Sequence, residues 1–259
     1  MTTYAVRDST TMLRRQLRHL SRNLSTILML LAVPIIFLLM FVYVLGGTLG
    51  DGLSGGGRRA YVNYVTPGIL LITIASAIQG TTISVAMDMT GGIIARFRTM
   101  AVARASVLTG HVLGSVLQTL MQLIVVLGVA VLVGFRPDAT AAEWLATAGL
   151  LLAATFALVW LAVAMGLATK TVEAASNLPT PLLLLPLFGS GFVPPESLPA
   201  GLRQFAEYQP FTPIMETLRG LLLGTPIGAS AAVAFGWCGA IALTGYVWAK
   251  WLYNRDRTR

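Results

Sequence analysis

Asp88–His111, DMTGGIIARFRTMAVARASVLTGH, places Arg96, Arg98 and Arg104 between two long apolar runs that otherwise hold almost no charge. Arginines at that spacing suit electrostatic docking rather than bond-making, and the partner they imply lies outside a membrane. Groups that make and break bonds are scarce. A phosphate loop needs G-x-x-x-x-G-K-[ST], but Lys170 follows Ala168 and Thr169 and lacks the glycine, and Lys250 ends a helix. Gly52-Leu53-Ser54-Gly55-Gly56 spells G-x-S-x-G. A nucleophile elbow needs a strand before it and a helix after it, and this match sits in a flexible loop. His19, His111 and Cys238 lie far apart and form no zinc-ligand cluster. The reading is therefore of a chain with no catalytic residue and no metal site.

Coupling to protons or sodium would leave carboxylates or histidines inside the membrane. Here the acids sit at span ends or in loops, and His111 alone approaches a span interior, near its cytoplasmic end. Small and polar residues do recur. Thr73, Ser76, Gly80 and Ser84 share one helical face with Gln79 beside it, and His111, Ser115, Gln118 and Gln122 make a similar stripe. Such stripes either cross-link helices or line a polar path for cargo, and both readings stay open. Gly228, Ala232, Gly236, Ala240 and Thr244 recur every four residues, a ridge suited to close helix packing.

The elements that must position these groups follow from composition. The chain has 259 residues, 56% hydrophobic and 11% charged. Soluble domains carry about a quarter charged residues, so this is an all-α, multi-pass membrane protein. Runs of spanning length cover 26–45, 66–87, 111–133, 144–168 and 229–249. The stretch 178–193 is shorter and holds Pro179, Pro181 and Pro186, which predicts a kinked or broken fifth span and six in all. With six, one set of loops holds thirteen cations against four acids and the other five against six. The excess places both termini in the cytoplasm, and the net charge of +8 reflects membrane topology rather than nucleic-acid binding.

Around the spans, 1–25 reads as an amphipathic interfacial helix, with Met12, Leu13, Leu17, Leu20 and Leu24 opposite Arg14, Arg15, Arg18 and Arg22. GGTLGDGLSGGGRR reads as a flexible glycine-rich loop. The region 194–228 alternates amphipathic stretches with prolines, and Arg203 with Glu207 and Glu216 with Arg219 fall at helical pair spacings. It predicts two short helices at the outer surface or re-entering the membrane, an outer lid carrying those four charges. The whole chain, 1–259, reads as one transmembrane domain. A secondary carrier and a non-catalytic membrane anchor or scaffold are the competing classes. The first lacks a membrane-embedded ionisable group, and the second leaves the arginine-rich loop unexplained.

Four stretches in order carry a resemblance over nearly the whole chain. PIIFLLMFVYVLGG and YVNYVTPGILL are similar to the first span and the entry to the second span of type-2 ABC exporter permeases. Asp88, Gly92, Ile93, Arg96, Phe97, Arg98, Arg104, Leu108 and Gly110 match D-x-x-x-G-I-x-x-R-F-R-x(5)-R-x-x-x-L-x-G, the pattern that follows it. SGFVPPESLP and YQPFTPIMETLRGLLLG resemble the outer re-entrant region. Within that family the chain most resembles the daunorubicin-resistance branch of bacterial drug and lipid exporters. Ala95 and Thr99-Met100-Ala101 stand where such relatives often carry Asp and Ser-Leu-Pro. The resemblance implies that 88–110 is a cytoplasmic coupling helix seated on a separate ATPase, which would hold the ATP and Mg. It further implies pairing with a second copy or a similar permease, a bacterial inner-membrane location, and export of amphiphilic drugs, lipids or glycolipids.

Overall fold

The computed structural model describes residues 24–51, 56–90, 104–193 and 198–255. The predicted amphipathic helix, 1–25, lies almost wholly outside them. Every regular element among the described residues is helical. In chain order these are α1 (Leu24–Leu39), a π-helical stretch (Met40–Leu45), α2 (Gly46–Gly50), α3 (Gly57–Thr90), α4 (Arg104–Val133) and α5 (Ala141–Ala168). Then follow α6 (Val172–Asn177), α7 (Thr180–Leu184), a 3-10 turn (Leu185–Phe188), α8 (Ala200–Tyr208), α9 (Phe211–Leu223) and α10 (Ser230–Arg255).

Five helical stretches are long and apolar enough to cross a membrane, namely Leu28–Gly50, Gly57–Thr90, Thr109–Val133, Ala141–Ala168 and Ser230–Tyr253. They match the expected spans but run longer. The first continues through much of the predicted glycine-rich loop. Gly46–Gly50 is helical, and the chain reverses at Gly56 and Gly57, whose φ values of +61° and +76° are open only to glycine without strain. α5 starts three residues before the expected Trp144, because Thr140 and Glu143 form a capping box. Glu143 Oε2 accepts from the Thr140 N–H at 2.6 Å, and Thr140 Oγ1 accepts from the Glu143 N–H at 3.4 Å. At about 51 Å, α3 is far longer than the roughly 30 Å of hydrocarbon, so its end, with Asp88, projects beyond it.

α3 and α5 are the buried centre, whereas α1, α4 and α10 leave most of their surface open. The main core joins Ile69, Ile72 and Ile78 of α3 to Leu150, Ala154 and Leu158 of α5, Val126 of α4 and Met215 of α9. A smaller cluster near the other end joins Val85, Val112, Val163 and Ala249. In lipid, such packing rests on close backbone approach rather than on escape from water. A Cβ at Gly166 would lie 2.7 Å from Val85 Cβ and 2.8 Å from Thr82 O, and the Thr82 hydroxyl donates to Ala162 O at 3.3 Å. A Cβ at Gly245 would lie 2.7 Å from Leu161 N. The ridge expected to pack on α10 is not the one that does. Ala234, Cys238, Gly245 and Ala249 are buried, whereas Ala232, Gly236, Ala240 and Thr244 face outward, and an added Cβ at Gly236 would meet nothing within 4 Å.

These contacts set direction. Thr82 and Val85, late in α3, meet Ala162 and Gly166, late in α5, and Gly245, late in α10, meets Leu161. At the opposite end Asp138, just before α5, donates its N–H to Leu222 O at 3.0 Å, and Ser230, opening α10, bonds Glu216 of α9 at 3.0 Å. α3, α5 and α10 therefore run parallel, and the chain between α5 and α10 must return along the bundle. It does so beside α3. Ser176 lies against Gln79, Gly191 against Gly68 and Phe192 against Tyr61, a descent of about 27 Å along α3.

That return is not the single helix the 178–193 run suggested. Pro179, Pro181 and Pro186 withhold N–H groups and crowd the preceding turn, so it breaks into α6, α7 and the 3-10 turn. Broken helices leave carbonyls that need donors in a low-dielectric setting. Three side chains supply them. Gln79 Nε2 donates to Ser176 O at 2.9 Å, Arg219 Nη2 to Ser190 O at 2.6 Å, and Tyr61 OH to Phe192 O at 3.3 Å. The Phe41 ring packs on Phe192 at 4.6 Å.

Replacing Arg219 by Met should lower unfolding free energy in mixed micelles by about 1.5–3 kcal/mol, the usual worth of a bond from a charged donor. Arg219→Lys should recover only part of that loss, because lysine lacks the planar fork. Equal stability of the Arg219→Met and unsubstituted proteins in that titration would show that this carbonyl needs no donor.

Candidate functional site

At one end of the bundle, Asp88 near the close of α3 meets His111 two turns into α4. His111 Nε2 lies 2.9 Å from Asp88 Oδ2, with the histidine nearly buried. Arg104, predicted to couple to an ATPase, is the first residue of α4. Gly92, Arg96, Phe97 and Arg98 of the same predicted segment lie outside the described residues. Asp88 was singled out from the sequence as part of that segment, but its pairing with His111 was not. No spacing rule joins residues 23 apart, and the contact exists only because α3 and α4 lie side by side.

In the middle of the bundle the polar stripe of α3 faces inward. Thr73 Oγ1 donates to Ile69 O at 2.8 Å and Ser76 Oγ to Ile72 O at 2.9 Å, both buried. A hydroxyl turned back on its own helix in this way has its proton engaged, and burial leaves the oxygen out of reach of a passing molecule. Gly80 receives the Leu30 side chain, 2.9 Å from where a Cβ would stand, and so seats α1 on α3. Gln79 serves as the donor to Ser176 O, and Ser84 is half-buried. On α4, Gln122 is buried with Nε2 lacking a partner, and Gln118 is half-buried.

At the opposite end, α8 and α9 realise the two short helices predicted within 194–228. Arg203 Nε pairs with Glu207 Oε1 at 2.7 Å on the exposed face of α8, as their spacing suggested. Glu216 and Arg219 depart from the expected pairing. Glu216 accepts from Ser230 Oγ, while Arg219 reaches Ser190 O and Tyr64 O and lies 4.0 Å over the Tyr64 ring. A backbone carbonyl and an aromatic face beside it hold the guanidinium better than a carboxylate already engaged. Burial lowers the Arg219 pKa, and the neighbouring Tyr64 and Glu216 push it back up. Tyr61, Tyr64 and Ser190 were not singled out from the sequence. They appear there only within the stretches YVNYVTPGILL and SGFVPPESLP, which name no partner for them.

The model of the ABC-2 type transporter family matches residues 8–223. The daunorubicin resistance ABC transporter permease protein DrrB1 of Streptomyces coeruleorubidus is 28% identical over 194 residues, which cover 74% of this chain and 67% of that protein. The probable doxorubicin resistance ABC transporter permease protein DrrC of Mycobacterium tuberculosis is 26% identical over 254 residues, covering 94% and 87% respectively. With the family pattern running through most of its length, from before the first span to the end of α9, the chain belongs to the ABC-2 type transporter family.

Proposed function

We propose that this chain, a membrane permease subunit of an ABC exporter, forms half of a pathway that moves an amphiphilic molecule out of a bacterial cell. The match of the family model to residues 8–223 carries the reading. Energy comes from a separate ATP-binding-cassette subunit, which holds the ATP and Mg, since this sequence contains no phosphate loop. The other half is a second copy or a similar permease. Drugs, lipids and glycolipids are the cargo class, in keeping with relatives named for daunorubicin and doxorubicin resistance.

In this reading the chain crosses the inner membrane six times with both termini cytoplasmic. The parallel course of α3, α5 and α10 supports it, as does the descent of about 27 Å from Ser176 to Phe192, close to the thickness of hydrocarbon. The outer end is then that of α8 and α9, which form a lid over the exit. The coupling segment, Asp88 to Gly110 with Arg96, Phe97, Arg98 and Arg104, docks on the ATPase from the cytoplasm. The half-buried Gln79, Ser84 and Gln118 lie nearest to any cargo path. Packing within the chain accounts better for Thr73, Ser76 and Gly80.

Reversing charge at Arg96→Glu and Arg98→Glu together should reduce ATP-driven daunorubicin export at least about tenfold, a coupling loss of about 1.4 kcal/mol, with membrane accumulation of the protein unchanged. Undiminished export and ATPase stimulation would remove the docking assignment.

Topology has its own test in a Cys238→Ser background. Gln204→Cys, on the exposed face of α8, should react with an impermeant maleimide added outside intact cells. Glu173→Cys, also exposed, should react only after the cytoplasmic face is opened. Labelling of both from one side would reduce the crossings to five.

A further inference from the structure

We infer that Asp88 and His111 are the positioning pair that ties α4 to the α3–α5 unit, so that a displacement delivered at the cytoplasmic end moves these helices as one body. The inference rests on the reading that the ATPase acts at that end. Its physical basis is a contrast between two kinds of contact. α3 and α5 are locked by shape, because Gly166 admits the Thr82 and Val85 backbone turn with no room to spare and the Thr82 hydroxyl reaches Ala162 O. α4 meets the same region through aliphatic side chains, Val112 and Val116 against Val85, Val159 and Val163. Contacts of that kind are non-directional and individually weak, and none of them singles out one pair of atoms. The bond from His111 Nε2 to Asp88 Oδ2 at 2.9 Å supplies the missing direction.

Its placement is otherwise unfavourable. A carboxylate two residues from the end of α3 stands at the negative end of that helix's dipole. A histidine 7% exposed beside an apolar cluster, with Nδ1 lacking a partner, gives up hydration. The bond offsets part of both penalties, and its length holds only while the two helices stay in register. The geometry needs a proton on Nε2, which both the neutral Nε2–H tautomer and the charged ring provide. Asp88 and His111 stand close to the two ends of the predicted coupling segment, so the tie joins the two helices to which that segment is attached.

Two amides of different reach test the idea. In His111→Gln the amide nitrogen stands where Nε2 stood and the bond survives, whereas in His111→Asn it falls short by a methylene. Spin labels at Met87→Cys and Leu113→Cys, both exposed, report the α3–α4 distance in a Cys238→Ser chain assembled with its ATPase in nanodiscs. We expect a narrow distance distribution with His or Gln at 111 and a broad one with Asn. Daunorubicin exported per ATP hydrolysed should fall at least about fivefold with Asn and recover with Gln. An unchanged distribution with Asn overturns the tie. A broadened distribution with undiminished export per ATP overturns its role in coupling and leaves it a structural pin. Failure of the docking reading appears separately, as ATPase stimulation that survives the double arginine reversal while the Gln and Asn distributions still differ.

Discussion

A helix broken inside a membrane protein leaves carbonyls that lipid will not solvate, and the bond from Arg219 to the Ser190 carbonyl answers the most demanding of these. Without a donor there, the return strand between α5 and α10 would have to find another path or expose its backbone. Gln79 and Tyr61 do the same work higher and lower on α3. The three bonds sit along a descent of about 27 Å, so α3 acts as the post to which a segment that forms no long helix of its own is fastened. Everything at the α8–α9 end depends on that fastening. Arg219 also fixes α9 against Tyr64, α9 fixes the start of α10 through Glu216 and Ser230, and its last turn receives the N–H of Asp138 before α5.

The bundle thus divides into an inner unit and an outer ring. α3 and α5 touch through glycine and backbone, leaving no space for relative motion without strain. α1, α4 and α10 lie around them with large apolar surfaces open, including Met29, Ile124, Leu132 and Leu243. In a membrane permease such apolar surfaces suit lipid or further membrane helices. Polar bonds tie surrounding elements to the inner unit at both ends, His111 of α4 to Asp88 of α3 at one and Arg219 of α9 to Tyr64 O of α3 at the other.

Much of this was legible beforehand. Five of the expected spans are helices of spanning length, the proline-rich stretch breaks where Pro179, Pro181 and Pro186 withhold their N–H groups, and Arg203 pairs with Glu207 at the spacing that suggested it. Each of these depends on residues within a turn or two of one another. The errors share a different character. Glu216 and Arg219 also stand one turn apart, yet each has a better partner from another element, Ser230 for the one and the Ser190 carbonyl for the other. The stripe of α10 that packs, Ala234 through Ala249, is not the small-residue ridge that periodicity picked out.

By itself the sequence determined where the five long apolar helices lie and where proline breaks the chain, since hydropathy and proline chemistry act locally or by summation. It also determined the family, through motifs spread over the chain. Only the tertiary structure decided which face of each helix turns inward. A helix apolar on every side carries little periodic signal, and its rotation is set by the fit of a glycine such as Gly166 or Gly245 against another backbone. Only the tertiary structure, too, assigned donors to the stranded carbonyls. Ser176 O finds its amide 97 residues away and Phe192 O its hydroxyl 131 residues away. In a low-dielectric interior, satisfying a backbone carbonyl depends on which side chain lies within reach, and distance along the chain has no part in it.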